Sequence, residues 1–257
     1  MGDVLIFAEQ QLGHFPKTTL TALNAGLELA QKRGGKAIAV VAGDNPDALA
    51  AEIAKYSVSK VIALTHPALK NYLADAYAHA LANLARSAGV EYILATATAT
   101  GKDLMPRLAA RLGAPMASDI TAINDDGTVT RPMYAGNALA NIEMDGPFKV
   151  ITVRGTAFDA AKPSGSAAAV EKVNAEIEAG SLKMEFEFLP VPLHRSFHHR
   201  MLRRRRLNNH RSRLFASPRS ARDLHDQTRT TFGRAKIREE QLRIRLHHRR
   251  QIHTGKI

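Results

Sequence analysis

Short apolar runs alternate with longer stripes at helical spacing along the first half of the chain. Val4 to Ala8 is a continuous apolar run, suited to a strand buried on both faces. Leu20, Leu23, Leu27 and Ala30 then share one face of a helix that Thr18 or Thr19 is placed to cap and that Gly34-Gly35 closes. Ala37 to Ala42 predicts the second strand. Asp44-Asn45-Pro46 opens a helix reaching about Lys55, and Lys60 to Leu64 is the third strand. The stripe Leu69, Leu73, Ala76, Tyr77, Ala80, Leu81, Leu84, Ala85 predicts the longest helix, stopped by Gly89, and Glu91 to Ala95 is the fourth strand. After it, ATATATG turns at Gly101 into a helix carrying Met105, Leu108, Ala109 and Leu112, ended by Gly113 and Pro115. Strands and helices in this order, with crossovers long enough for parallel pairing, predict an α/β fold with a doubly wound, Rossmann-like, mostly parallel sheet.

The pattern then changes. Asp119 to Ile123, Thr128 to Tyr134, Ala138 to Glu143 and Phe148 to Val153 read as short strands joined by Asp125-Asp126-Gly127 and Asp145-Gly146-Pro147. These turns leave no room for helices, so an antiparallel or mixed extension is expected. Lys162 to Ala169 has linker composition and Val170 to Glu178 could form a short polar helix. MEFEFLPVP resembles an edge strand ended by prolines. HRSFHHRMLRRRRLNNHRSR has neither period, and only Leu242, Ile244 and Leu246 alternate as a strand would. The expected organisation is an α/β domain over 1–160, a linker over 161–182, and an arginine- and histidine-rich tail over 183–257, disordered or out of frame.

Charge sharpens that division. The whole chain has 36 Lys+Arg against 24 Asp+Glu, net +12. Residues 193–257 hold 19 of the basic and 4 of the acidic residues, a net of +15, which leaves residues 1–192 at −3. The basic character therefore belongs to the tail. The absence of cysteine excludes disulfides, thiolate catalysis and Cys-based zinc or iron–sulfur sites. MGDVLIFAEQ has too short an apolar run for a signal peptide and no basic flank, and no stretch approaches the roughly 20 apolar residues of a membrane span.

Candidate chemistry is sparse. A Walker loop needs a glycine five positions before Gly101 and a Ser or Thr after Lys102; Thr96 and Asp103 stand there instead. The alternative is a hydroxyl-rich loop that caps the helix, with Lys102 in solvent. His14 is a loop residue that could touch a ligand at the carboxyl edge of the sheet, His66 before Pro67 reads as a turn residue, and His79 falls off the apolar stripe and is expected to be exposed. Arg107, Arg111 and Arg131 are candidates to pair with Asp119 or Asp103. In the tail, His198, His199, His247 and His248 match no zinc spacing, and Arg203 to Arg206 could bind phosphate backbones without sequence preference.

Three stretches add a resemblance. TGKDLMPRLAARLGAPMASDI, RPMYAGNALA at 131–140 and VITVRGTAFDA at 150–160 together resemble the amino-terminal domain of the electron-transfer flavoprotein alpha subunit, in its order and at about its spacing, over residues 1 to about 165. The resemblance implies an electron carrier rather than a catalyst with its own substrate. It implies pairing with a beta subunit, FAD as cofactor, and electron flow from acyl-CoA and other dehydrogenases toward a quinone reductase in fatty acid β-oxidation. The compartment it implies is a bacterial cytoplasm or the mitochondrial matrix. In that family the amino-terminal domain is mainly scaffold and interface, and the carboxy-terminal domain holds FAD through Gly-Arg-Gly, Gly-Ala-Ser-Arg, Gln-Thr-Gly-Lys and Asn-Lys-Asp stretches. Three of these are absent. For the third, Thr254, Gly255 and Lys256 stand at about the right distance, with His253 in place of the Gln. No catalytic residue and no metal site is assigned, and weak FAD binding by this chain is expected. The expectation is a truncated or frameshifted alpha subunit; a genuine basic tail is the rival account. The alternatives in other classes are a nucleic-acid-binding adaptor using the tail and a nucleotide-binding hydrolase-like domain.

Overall fold

A computed structural model describes residues 2–177, 182, 184–187 and 202–205. Seven strands form one parallel sheet: β1 (Val4–Phe7), β2 (Ala37–Gly43), β3 (Lys60–Thr65), β4 (Tyr92–Thr96), β5 (Met116–Ile120), β9 (Lys149–Val153) and β10 (Ala169–Asn174). Their order is β10-β3-β2-β1-β4-β9-β5. Period-two alternation splits the strands between two cores. Val4 and Ile6 of β1 face one side with Leu23 and Leu29 of helix α1 (Lys17–Arg33) and Ile53 of helix α2 (Asp47–Ile53). Leu5 and Phe7 face the other side with Leu81 of helix α3 (Ala74–Ala88) and Leu104 and Leu108 of helix α4 (Ala99–Leu112). The chain runs outward from β1 to β3 on one side, then returns to place β4 on the other side of β1. The switch point of this doubly wound sheet therefore lies between the carboxyl ends of β1 and β4.

Three further strands, β6 (Ala122–Ile123), β7 (Val129–Met133) and β8 (Ala138–Ile142), form a separate antiparallel sheet. The α/β class and the antiparallel strands expected from the sequence are both present, with differences in detail. Phe148 to Val153 does not belong to the antiparallel extension. It supplies β9, inserted in parallel between β4 and β5, because its Val150-Ile151 core is buried on both faces. The predicted strand 119–123 is the end of β5 and β6, separated at Thr121; within β5, Asp119 is left-handed (φ 58°) and the register to β9 shifts between Ala117 and Ile120. β5 begins earlier than expected, at Met116.

The predicted polar helix at 170–178 is instead the edge strand β10. It pairs with β3 from Ala169↔Lys60 to Asn174↔Thr65, so the span expected to be linker contributes to the sheet. Its exposed Val170, Glu171 and Lys172 give no helical stripe, and the ladder to β3 decides its conformation. Among the described residues the longest helix is α1, because the stripe from Leu69 is broken into a 3-10 turn (Pro67–Leu69) and α3. Pro16 rather than Thr18 or Thr19 occupies the N-cap of α1; the Thr19 hydroxyl donates to the Glu9 carbonyl at 2.6 Å. Gly101 is not a turn residue. It sits in the first turn of α4, where a Cβ would overlap the carbonyl oxygen of Thr96, so the site requires a bare backbone. Beyond the domain, β11 (Met184–Glu187), the expected edge strand, pairs antiparallel with β12 (Leu202–Arg205), a strand its own pattern does not signal and backbone pairing supplies.

Candidate functional site

Doubly wound sheets hold ligands at the switch point, in the crevice outside the strand ends. Here that crevice is filled by the protein itself. Glu9, directly after the apolar run of β1, is 4% exposed, and its carboxylate accepts from the Thr98 hydroxyl at 2.5 Å. The Thr98 hydroxyl in turn accepts from the Gly101 N–H at 3.0 Å and so caps α4. From the end of β4, Thr96 donates to the Thr18 carbonyl at 2.9 Å, and Ala97 N–H donates to the Val153 carbonyl at 2.8 Å. The arrangement ties the ends of β1, β4 and β9 to the start of α1. A dinucleotide phosphate placed on the α4 N-terminus would meet the Glu9 carboxylate and displace its bond to Thr98. The Glu9 carboxylate at the α4 N-terminus therefore opposes the phosphates of FAD or another dinucleotide at that position. The hydroxyl-rich capping loop is the arrangement the ATATATG segment adopts, with Lys102 exposed.

A second feature lies beside it, at the ends of β5, β7 and β9. Arg154 follows β9 and grips Asp119 of β5 through Nη2 (2.5 Å) and Nε (3.3 Å). Asp119 is fixed from behind as well, its N–H donating to the Thr152 hydroxyl at 2.9 Å. The Arg154 guanidinium holds the Asp119 carboxyl below its ordinary value against the opposing effect of partial burial, and the fields of Arg154, Lys102 and Arg131 add to that lowering. Arg131, on β7, has a buried Nε with no hydrogen-bond partner. Arg131 and Arg154 face a cleft of about 440 Å³, closed by Pro132, Met133 and the turn Tyr134–Gly136. In that turn Tyr134 (φ 50°) and Ala135 (φ 55°) are both left-handed, and the Tyr134 side chain is 77% exposed. Leu139, opposite Pro132 in the β7–β8 ladder, is 67% exposed.

The other sequence candidates separate. Arg107 pairs with Asp103 at 3.1 Å and Arg111 with Asp75 at 2.5 Å, and Asp119 pairs with Arg154 rather than with Arg107, Arg111 or Arg131. His14 closes the Gln11–His14 turn through its backbone, His66 caps the 3-10 turn by accepting from Ala68 N–H at 3.1 Å, and His79 is half-buried rather than exposed because most of α3 is packed. Thr254, Gly255 and Lys256 and the four tail histidines lie outside the described residues. Glu9 was not legible as a site residue, although a carboxylate abutting a buried strand is the signal that could have found it. Among the described residues no group of three or more His, Cys, Asp or Glu could hold a metal, and no helix is long and apolar enough to cross a membrane.

Fold and site together define a doubly wound α/β domain whose ligand crevice is sealed by its own side chains and whose open feature is a cationic, aromatic-rimmed cleft. Comparison with known proteins identifies that class further. The electron transfer flavoprotein domain family matches residues 4–178. An electron transfer flavoprotein subunit alpha of Pseudomonas aeruginosa is 37% identical over 178 residues, covering 69% of this chain and 56% of that protein. A probable mitochondrial subunit alpha of Caenorhabditis elegans is 31% identical over 179 residues (69% and 53%), and the protein FixB of Clostridium saccharobutylicum 32% over 186 (70% and 55%). The chain belongs to the electron transfer flavoprotein family, and it spans about half the length of the curated relatives it matches.

Proposed function

We propose that the chain serves as an electron-transfer flavoprotein alpha subunit whose α/β domain is a scaffold that docks a beta subunit. The observation that carries this reading is the sealed switch point: a fold that usually binds ligands there has filled the position with Glu9 and Thr98, so its working surface lies elsewhere. In a complete assembly the reading has electrons pass from acyl-CoA and other dehydrogenases toward a quinone reductase, in a bacterial cytoplasm or a mitochondrial matrix. FAD is the family's cofactor, and this chain holds it weakly. The sealed crevice weighs against a nucleotide-binding hydrolase.

The test is subunit pairing. The full chain mixed with the cognate beta subunit at micromolar concentration is expected to elute from a sizing column as one 1:1 species by light scattering. Two separately eluting proteins would contradict the reading. One second reading draws on the net charge of +15 in residues 193–257, which favours weak, sequence-independent binding to nucleic acid that falls steeply with salt. Sequence-selective binding that survives moderate salt would promote that reading over the first.

A further inference from the structure

The geometry points to the Arg131–Arg154 cleft as the seat of a carboxylate from an acidic segment of a partner protein, with an apolar side chain of the same segment covering Tyr134. Each half of that occupant answers something the domain leaves open. Among the described residues Arg131 brings to the cleft a guanidinium that no salt bridge engages. Arg154 spends two of its five N–H groups on Asp119 and retains the others beside the cleft. Two guanidiniums line the cleft, and Asp119 is the carboxylate paired with one of them. A second carboxylate would complete the balance, and Arg suits it because the fork binds both oxygens.

The apolar half rests on the turn. Tyr134 and Ala135 are held at positive φ, a conformation disfavoured for L-residues, and the result is a large aromatic standing out of the surface. An exposed Tyr beside Arg is the pairing that anchors protein interfaces. Residues 193–257 are the wrong occupant, because their net +15 would be repelled from a cationic cleft. The occupant proposed is a segment of another protein. The inference rests on the subunit-pairing reading above, which makes the beta subunit the first partner to test.

The test uses the full chain and the cognate beta subunit, with affinity measured by titration calorimetry at low and moderate salt. Arg131→Glu is expected to weaken binding by about tenfold or more, with Arg131→Lys recovering part of the loss and Tyr134→Ala also weakening it. Wild-type affinity should fall with salt, and less steeply in the Arg131→Glu chain. Lys36→Glu, exposed just before β2 at the opposite end of the strands from the cleft, serves as the charge control and is expected to match wild type; circular-dichroism melts establish that each variant folds. If Arg131→Glu and Tyr134→Ala bind within twofold of wild type, the inference is overturned while subunit pairing stands. A wild-type chain that does not bind the beta subunit overturns both. Inorganic pyrophosphate binding through Arg131, with subunit affinity unchanged by Arg131→Glu, would assign the cleft to a phosphorylated small molecule and overturn the protein-partner inference.

Discussion

Thr98 performs two tasks with one hydroxyl: it caps α4 at Gly101 and gives the buried Glu9 carboxylate its donor. Thr98→Ala is therefore expected to cost about 1 kcal/mol for the cap and roughly 1–3 kcal/mol more for the carboxylate left without that donor. Thr98→Ser should stay near wild type. Chemical denaturation reads the difference, and a Thr98→Ala loss no larger than that of an ordinary cap would mean that Glu9 does not depend on Thr98. Asp119 gives a pH signature. Its carboxyl is held below the ordinary value of 3.8 chiefly by Arg154, so its contribution to stability is present above that value and disappears as pH falls through the lower folded one. Asn tolerates the left-handed backbone at this position, so Asp119→Asn removes the charge while keeping the conformation. The acid limb of a pH–stability curve should be shallower below about pH 4 in that variant; identical acid limbs would show that the pair contributes nothing in solution.

At the scale of elements, β1 to β4 were legible as apolar runs, and α1, α3 and α4 as apolar stripes each closed by a glycine, Gly34, Gly89 and Gly113. Val4–Ala8, Ala37–Ala42 and Lys60–Leu64 are apolar runs with only one use. β10 was not legible. AVEKVN is mostly exposed on an edge, so nothing in its composition separates strand from polar helix, and only the ladder to β3 makes it extended. β9 was misplaced for a related reason: its position depends on filling the gap between β4 and β5, a contact the local pattern does not encode. The site divided the same way. The loop after β4 was located, but the Glu9–Thr98 bond spans 89 positions and the Asp119–Arg154 pair 35. A consequence follows for truncation. A chain ending at Gly180 retains β10 and is expected to melt as cooperatively as the full chain, whereas one ending near Gly165 loses β10, uncovers the edge of β3 and should be less stable and prone to self-association. Equal melting temperatures for the two shortened chains would contradict the role given to β10.

For the whole molecule, the decisive matter is where flavin can and cannot sit. The doubly wound sheet offers one habitual ligand position, and Glu9, Thr98 and Thr96 occupy it. The family's flavin stretches are missing from residues 193–257, which carry 19 basic residues against 4 acidic ones. On the reading proposed above, the chain should be colourless as purified. The measurement that reaches this most directly is a fluorescence-quench titration of FAD into the full chain, alone and with its cognate beta subunit, alongside the visible absorbance of the purified complex. A complex that forms yet carries far less than one FAD, and binds added FAD far more weakly than an intact alpha subunit with the same partner, is the expected result. A yellow protein with one tightly held FAD per chain would contradict it, and would mean that residues beyond the sheet build a flavin site of their own.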